Sequence, residues 1–247
     1  MSSPANGQVG RVQEKLALVI PTLCEADNIG GLLRHVRSVL DPLGVAYEIL
    51  VVDDDSDDGT GDLVSAIAKE DPRVRLLVRK GQRGLSGAIL HGWQNTDAAI
   101  LGVMDADLQH PPELLPQLVL AIQRGNDLVI GSRYTPGGEL GNWSPARKFF
   151  SAAAVWVTLP LQRPRLRAKD PMSGFFLVRR SCLDQVPFQQ SGFKLLLEVL
   201  VRGRIRSVEE DPFAFGLRYR GASKANFRVA VDYAKLLARL YVARFGF

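Results

Sequence analysis

The sequence predicts an α/β domain built on a mostly parallel sheet with helices on its faces. Apolar runs at 16–21, 48–53, 74–78, 98–104 and 127–132 alternate with helical stretches, as in successive β-α-β units. The first of these stretches, 26–40, carries apolar residues at helical spacing, which indicates a face packed on the core. With 247 residues and 46% hydrophobic content, the chain can bury a sizeable core, and its length fits one large α/β domain as well as two smaller ones.

The segment 102–113, GVMDADLQHPPE, is the strongest candidate for a functional site. The apolar run before it predicts a buried strand, which delivers Asp105, Asp107 and Gln109 to a loop that two prolines close. Ligands of open α/β sheets bind outside the carboxyl ends of the strands. Two neighbouring carboxylates repel each other unless a cation lies between them, and hard oxygen ligands suit Mg²⁺ or Mn²⁺. The alternative is a solvated acidic loop.

Five motifs in the chain resemble those of the polyprenyl-phosphate mannosyltransferases, also called dolichol-phosphate mannose synthases. They are VVDDDSDDGT at 51–60, RGLSGAILHG at 83–92, DADLQHPPE at 105–113, IGSRY at 130–134 and DPMSGFF at 170–176. The resemblance extends over roughly 16–224. It implies membership of glycosyltransferase family 2, with a Rossmann-like GT-A fold. It also implies an enzyme that transfers mannose from GDP-mannose to a polyprenyl phosphate, with inversion, and that requires Mg²⁺ or Mn²⁺.

The resemblance also implies roles for individual residues. Those implied to bind the nucleotide sugar are Pro21, Glu25, Val52, Asp54, Asp105, Gln109, Arg218 and Lys224. Asp105, Asp107 and Gln109 are the implied metal ligands. Arg133, Arg147 and Ser151 are implied to hold the acceptor phosphate, and Asp107, Arg133 and Arg218 are the implied catalytic residues.

The donor nucleotide is left open by the residues themselves. A carboxylate such as that of Asp54 can accept hydrogen bonds from guanine or from uracil. The family usually has Tyr-Asn where this chain has Leu23 and Cys24, so an aromatic platform and an amide are missing. A UDP-glucose or other UDP-sugar donor therefore remains an alternative to GDP-mannose.

The nature of the acceptor decides whether a catalytic base is needed. A sugar hydroxyl must lose its proton to attack, whereas a phosphate monoester, with a second pKa of about 6, is already largely a dianion at neutral pH. Asp170 is the remaining candidate base. If it serves as one, the protein is a family-2 glycosyltransferase with a hydroxyl acceptor.

Charge is distributed unevenly along the chain. Residues 1–132 hold 11 Lys and Arg against 18 Asp and Glu, a net charge of −7, while 133–247 hold 20 against 8, a net charge of +12. A basic half favours anionic partners. Because no zinc-knuckle, RRM or helix-turn-helix pattern accompanies the charge, we expect a membrane surface and not nucleic acid.

Two stretches predict amphipathic helices that lie on a membrane surface. Residues 149–162 form an uncharged run of fourteen with basic flanks, shorter than the ~20 residues a spanning helix needs. Residues 225–247 place basic and apolar residues on different sides of a helix. An ordinary buried helix is the alternative for the first stretch, and a protein-binding helix for the second.

These patterns together predict three parts of the chain. They are a flexible N-terminus at 1–13, a glycosyltransferase domain at 14–224 that includes an interfacial helix at about 145–162, and a C-terminal membrane-surface helix at 225–247. Residues 1–13 lack the apolar core of a signal peptide, so we expect peripheral attachment at the cytoplasmic face of a membrane. The two cysteines, Cys24 and Cys182, form no disulfide framework and no CxxC metal spacing, so we expect both to be free thiols. A non-catalytic membrane scaffold is disfavoured because every implied metal ligand is present.

Overall fold

The structure is a computed structural model that describes residues 14–139, 145–188, 194–214, 216 and 227–246. The side chains of 145–148 and 227–230 are outside this description. Arg218, Lys224 and the side chain of Arg147 therefore lie outside the described residues, as does the predicted flexible segment 1–13.

The described part of the chain forms a seven-stranded, mostly parallel sheet. Its strands are β1 (Leu16–Thr22), β2 (Tyr47–Asp53), β3 (Val74–Val78), β4 (Ile100–Val103), β5 (Leu128–Ser132), β6 (Phe176–Arg179) and β7 (Val208–Pro212). The strand order is β3-β2-β1-β4-β6-β5-β7. Strand β6 runs antiparallel to both of its neighbours, β4 and β5, while the other pairs are parallel. The predicted mostly parallel α/β fold is confirmed.

Helices cover both faces of the sheet. They are α1 (Ala26–Leu40), α2 (Thr60–Glu70), α3 (Leu85–Gln94), α4 (Leu115–Gln123), α5 (Pro145–Thr158), α6 (Leu195–Arg202) and α7 (Phe227–Phe245). Along β1, Leu16, Leu18 and Ile20 join the core on the side of α1 and α4. Ala17 and Val19 join the core on the side of α3 and α6. This alternation follows from the two-residue period of a strand and buries β1 on both faces.

Helices α5 and α7 pack together at one side of the domain. Leu236 and Leu240 of α7 are buried against Leu161 and Leu197, so the predicted C-terminal helix shares a core with the domain. Helix α5 ends at Thr158, earlier than the predicted end near 162. The Thr158 hydroxyl donates to the carbonyl of Val155, and Pro160 in the following turn has no N–H to continue a helix.

Within the described ranges, every helix is too short or too polar to cross a bilayer.

Candidate active site

The loops after β1, β2, β4 and β5 meet at one edge of the sheet, because these four strands run in the same direction. The turn before β6 reaches the same edge, since β6 runs the opposite way. Three of these loops hold a non-glycine residue in the left-handed region: Cys24 at φ 56°, Asp55 at φ 58° and Leu108 at φ 61°. Such strained residues cluster where the surrounding structure fixes a functional loop.

The loop after β4 holds the three predicted metal ligands. Leu108, with its left-handed backbone, turns the chain between Asp107 and Gln109, and the Gln109 N–H donates to Asp107 Oδ1 at 3.1 Å. The Gln109 side-chain nitrogen donates to the carbonyl oxygen of Gly216 at 3.1 Å. The tight turn thus keeps Asp107 and Gln109 close together and links the loop to the chain beyond β7.

His110 holds the same loop through a hydrogen bond and two aromatic contacts. Its Nδ1 accepts a hydrogen bond from the Asp105 backbone N–H at 3.2 Å. The imidazole stacks on Phe175, with ring centroids 5.3 Å apart, and meets the Phe213 ring edge-to-face at 5.6 Å. Burial lowers the pKa of His110, so the ring stays neutral and keeps Nδ1 as an acceptor.

Gly174, in the turn before β6, lies directly against Asp105. A Cβ atom at position 174 would stand 2.8 Å from Asp105 Oδ2 and 3.1 Å from Oδ1, closer than ordinary van der Waals contact. Only a residue without a side chain lets the turn approach the carboxylate in this way.

The electrostatics of the loop fit a divalent cation. Burial raises the pKa of Asp105, and the neighbouring Asp107 carboxylate adds to this effect. Protein packs around most of Asp105, yet 33% of its side-chain surface reaches solvent, so a ligand can approach. In the described part of the chain, no group of three or more His, Cys, Asp or Glu side chains lies close enough together to hold a metal ion. Two carboxylates and an amide oxygen suit Mg²⁺ or Mn²⁺, which complete their coordination with water and substrate phosphates.

Arg133, at the end of β5, is held by a buried carboxylate. Its Nε donates to Asp170 Oδ2 at 2.7 Å and its Nη2 to Oδ1 at 2.8 Å, while its backbone N–H donates to Oδ2 at 3.1 Å. Burial disfavours the guanidinium charge, but Asp170 outweighs it, and the pKa of Arg133 is raised. The candidate base is therefore a fully buried partner of the predicted acceptor cation.

Lys194, at the start of α6, is a site residue that the sequence analysis missed. Burial and the charge of Arg133 lower its pKa, while Asp105 and Asp170 raise it. Its Nζ donates to the carbonyl of Met172 at 3.4 Å. The sequence does contain a sign of this role, because Lys194 stands directly before the apolar run 195–197. A charge buried beside such a run is costly without a partner.

Asp54, the predicted base-reading carboxylate, already holds two partners. Oδ1 accepts from Arg79 Nη1 at 2.9 Å and Oδ2 from the Gly84 N–H at 2.7 Å. Burial raises the pKa of Asp54, and the Gly84 N–H and Arg79 oppose this effect. Arg79, which the sequence analysis passed over, thus ties the loop before α3 to the end of β2.

The other predicted nucleotide residues lie nearby. Pro21 in β1 pairs with Val52 in β2, whose side chain is buried in the core, so a ligand could meet Val52 only through its backbone. The Glu25 carboxylate accepts from the Asn28 side chain at 2.8 Å. On the acceptor side, Ser151 Oγ accepts a hydrogen bond from Tyr134 Oη at 2.7 Å.

Comparison with known proteins points to the same family. Residues 17–187 match the model of glycosyl transferase family 2. The chain is 40% identical to a dolichol-phosphate mannosyltransferase of Pyrococcus furiosus, over 92% of this chain and 63% of the relative. It is also 40% identical to a dolichol-phosphate mannosyltransferase of Mycosarcoma maydis, over 93% of this chain and 80% of the relative. An undecaprenyl-phosphate mannosyltransferase of Micrococcus luteus is 34% identical, over 85% of this chain and 87% of the relative. The chain thus spans less than two thirds of the archaeal relative.

Solved structures agree on the fold. Glucosyl-3-phosphoglycerate synthase from Mycobacterium tuberculosis, crystallised with Mn²⁺, UDP-glucose and phosphoglyceric acid, superposes with a TM-score of 0.68 at 20% identity, covering 99% of this chain and 86% of that one. At this identity the likeness concerns the fold alone. The sequence matches place the chain in glycosyl transferase family 2, among the polyprenyl-phosphate mannosyltransferases.

Proposed function

We propose that the protein transfers mannose from GDP-mannose to the phosphate of a polyprenyl phosphate, with inversion at the anomeric carbon. The observation that carries this proposal is the buried Arg133 guanidinium beside the two-carboxylate loop. The guanidinium suits the phosphate of the acceptor, and a divalent cation held by the neighbouring loop suits the diphosphate of the donor. The names of the relatives support mannose as the sugar and a polyprenyl phosphate as the acceptor.

The reaction needs positioning more than proton transfer. An oxygen of the acceptor phosphate attacks the anomeric carbon of mannose, and the bond from that carbon to the diphosphate oxygen breaks, which releases GDP. The attacking oxygen is already charged at neutral pH, so no base has to take a proton. The buried, paired state of Asp170 agrees with this chemistry, because both of its oxygens accept hydrogen bonds from Arg133.

Asp105, Asp107 and Gln109 would hold Mg²⁺ or Mn²⁺. When bound, the cation would offset charge that develops on the departing diphosphate. Lys194 lies close enough to Asp105 for their charges to interact, and the carboxylates of Asp105 and Asp170 favour its charged form while burial and Arg133 lower its pKa. Arg218 and Lys224, outside the described residues, keep the diphosphate-binding role that the family resemblance implies.

A peripheral attachment at the cytoplasmic face of a membrane completes the proposal. Three large side chains on α5 are strongly exposed: Phe149 by 70%, Phe150 by 71% and Trp156 by 74%. Helix α7 packs beside α5, where Tyr241 Oη donates to the carbonyl of Val157 at 2.7 Å, and it adds the exposed Phe245. Exposed aromatic residues on helices with basic flanks favour the headgroup region of a bilayer.

A radiolabel transfer assay tests the reaction. The purified protein is given GDP-mannose or UDP-glucose as donor, and polyprenyl phosphate or the free polyprenol as acceptor, with Mn²⁺. We expect label in the lipid only with GDP-mannose and polyprenyl phosphate. Transfer from UDP-glucose alone would reject the donor, and efficient transfer to the polyprenol would reject the phosphate acceptor.

A further inference from the structure

Asp170 connects the predicted acceptor cation to the rest of the sheet. Its carboxylate faces the Nε and Nη2 edge of Arg133 with both oxygens, and it accepts from the Arg133 backbone N–H as well. Asp170 is fully buried, and 11% of the Arg133 side chain is exposed. The guanidinium is therefore fixed in its plane, with its Nη1 side turned away from Asp170.

The turn that carries Asp170 is itself anchored on two sides. The backbone N–H groups of Lys169 and Asp170 donate to the Glu210 carboxylate on β7 at 2.8 Å and 3.0 Å. Ser173 Oγ donates to the carbonyl of Gly131 on β5 at 2.7 Å. The position of Asp170 is thus set by contacts with β5 and β7, which do not depend on a ligand.

We infer that Asp170 is a positioning residue that holds Arg133 ready for the acceptor phosphate, and not the catalytic base. The inference rests on the proposed function. Arginine side chains lose much rotational freedom when they bind a phosphate, and that loss weakens affinity. Because Asp170 fixes Arg133 during folding, the cost no longer falls on acceptor binding. A base, by contrast, needs a carboxylate oxygen that can reach the attacking group.

A double-mutant cycle tests whether Asp170 acts through Arg133. The variants are Asp170→Asn, Arg133→Met and the two combined, with Asp97→Asn as a control, because the Asp97 side chain is 94% exposed. We expect Asp170→Asn to raise the KM for polyprenyl phosphate about fivefold to tenfold, with the dissociation constant of GDP-mannose unchanged. In the Arg133→Met background the same change should have no further effect on this KM. Because the combined variant removes both buried charges, we expect it to fold even if Asp170→Asn alone unfolds, and its comparison with Arg133→Met then tests the inference.

Two results would overturn the inference. The first is a lower kcat in Asp170→Asn with an unchanged acceptor KM and loss of the acidic limb of the pH profile, which is the behaviour of a base. The second is an Asp170→Asn effect that persists in the Arg133→Met background.

A measurement without substrate separates this inference from the proposed function. The Nε–H signal of Arg133 in ¹⁵N NMR, assigned by its loss in Arg133→Met, should report a rigid group in the wild type and a mobile one in Asp170→Asn. Equal rigidity in both would refute the positioning role. A wild-type protein that fails to transfer mannose to polyprenyl phosphate would refute the proposed function, whatever the NMR result.

Discussion

Gly174→Ala should disturb the metal loop without unfolding the protein. The added methyl group would lie 2.8 Å from Asp105 Oδ2, whereas ordinary contact begins at 3.4 Å, so the carboxylate must move by about 0.6 Å. Because this carboxylate ends a short side chain with 33% of its surface exposed, a rotation can absorb the clash. Such a rotation costs about 1 kcal/mol, which lowers Tm by roughly 2–4 °C in a chain of this size.

The effect on activity should be larger than the effect on stability. Misplacing a reacting group by about 1 Å can cost about a hundredfold in rate, so a displacement of half that size should cost about tenfold. We therefore expect the Mn²⁺ concentration for half-maximal transfer to rise about tenfold in Gly174→Ala. Gly31→Ala is the matched control, since a Cβ at this position on α1 meets nothing within 4 Å. A folded Gly174→Ala protein with wild-type rate and wild-type metal dependence would refute the role assigned to this contact.

Three other perturbations have defined outcomes. Asp107→Ala should reduce transfer about a hundredfold or more, because the diphosphate loses a counter-charge, and EDTA should have the same effect on the wild type. Undiminished activity, in a variant shown by sedimentation to be folded and not aggregated, would argue against the metal site. Trp156→Ser should weaken binding to anionic vesicles, and the binding that remains should be released by salt. The control variant Leu120→Ser on α4, where Leu120 is 49% exposed, should bind the vesicles as the wild type does. Equal binding by both variants would place the membrane-binding surface elsewhere. Asp71, paired with Arg73, has its pKa lowered to about 2, so its stabilising effect is complete above the unfolded value of 3.8 and is lost as pH falls toward 2. Asp71→Asn should therefore lower the free energy of unfolding by about 1 kcal/mol at pH 7, after allowance for the exposed guanidinium, and by nearly nothing at pH 2; a pH-independent difference would contradict this.

Local patterns in the sequence predicted the elements of the fold well. The helix at 26–40 has the bounds that its apolar spacing predicted, because burial against a sheet imposes a regular period. The strand at 74–78 also has its predicted bounds. The end of the predicted helix at 145–162 was less well predicted, since a turn around Pro160 takes over after Thr158. Apolar composition does not distinguish a helix from the turn that follows it.

Contacts between distant segments were beyond the reach of sequence patterns. The predicted loop of Asp105 and Asp107 does lie at the carboxyl edge of the sheet, as the strand before it required. The pairing of Arg133 with Asp170 depends on β6 entering between β4 and β5, which no local period encodes. The same is true of Lys194, which reaches the site only because α6 begins beside it.

The placement of β6 has a consequence for synthesis on the ribosome. Strands β1 to β4 emerge first and can pair with one another, but the free edge of β4 waits for β6, which is made after β5 and α5. Until then the nascent chain exposes an apolar strand edge, the kind of surface on which chains aggregate. Gly174 reaches Asp105, and Asp170 reaches Arg133, only when β6 is inserted. A nascent chain stalled before residue 176 would therefore carry the acidic loop but remain inactive and prone to aggregation.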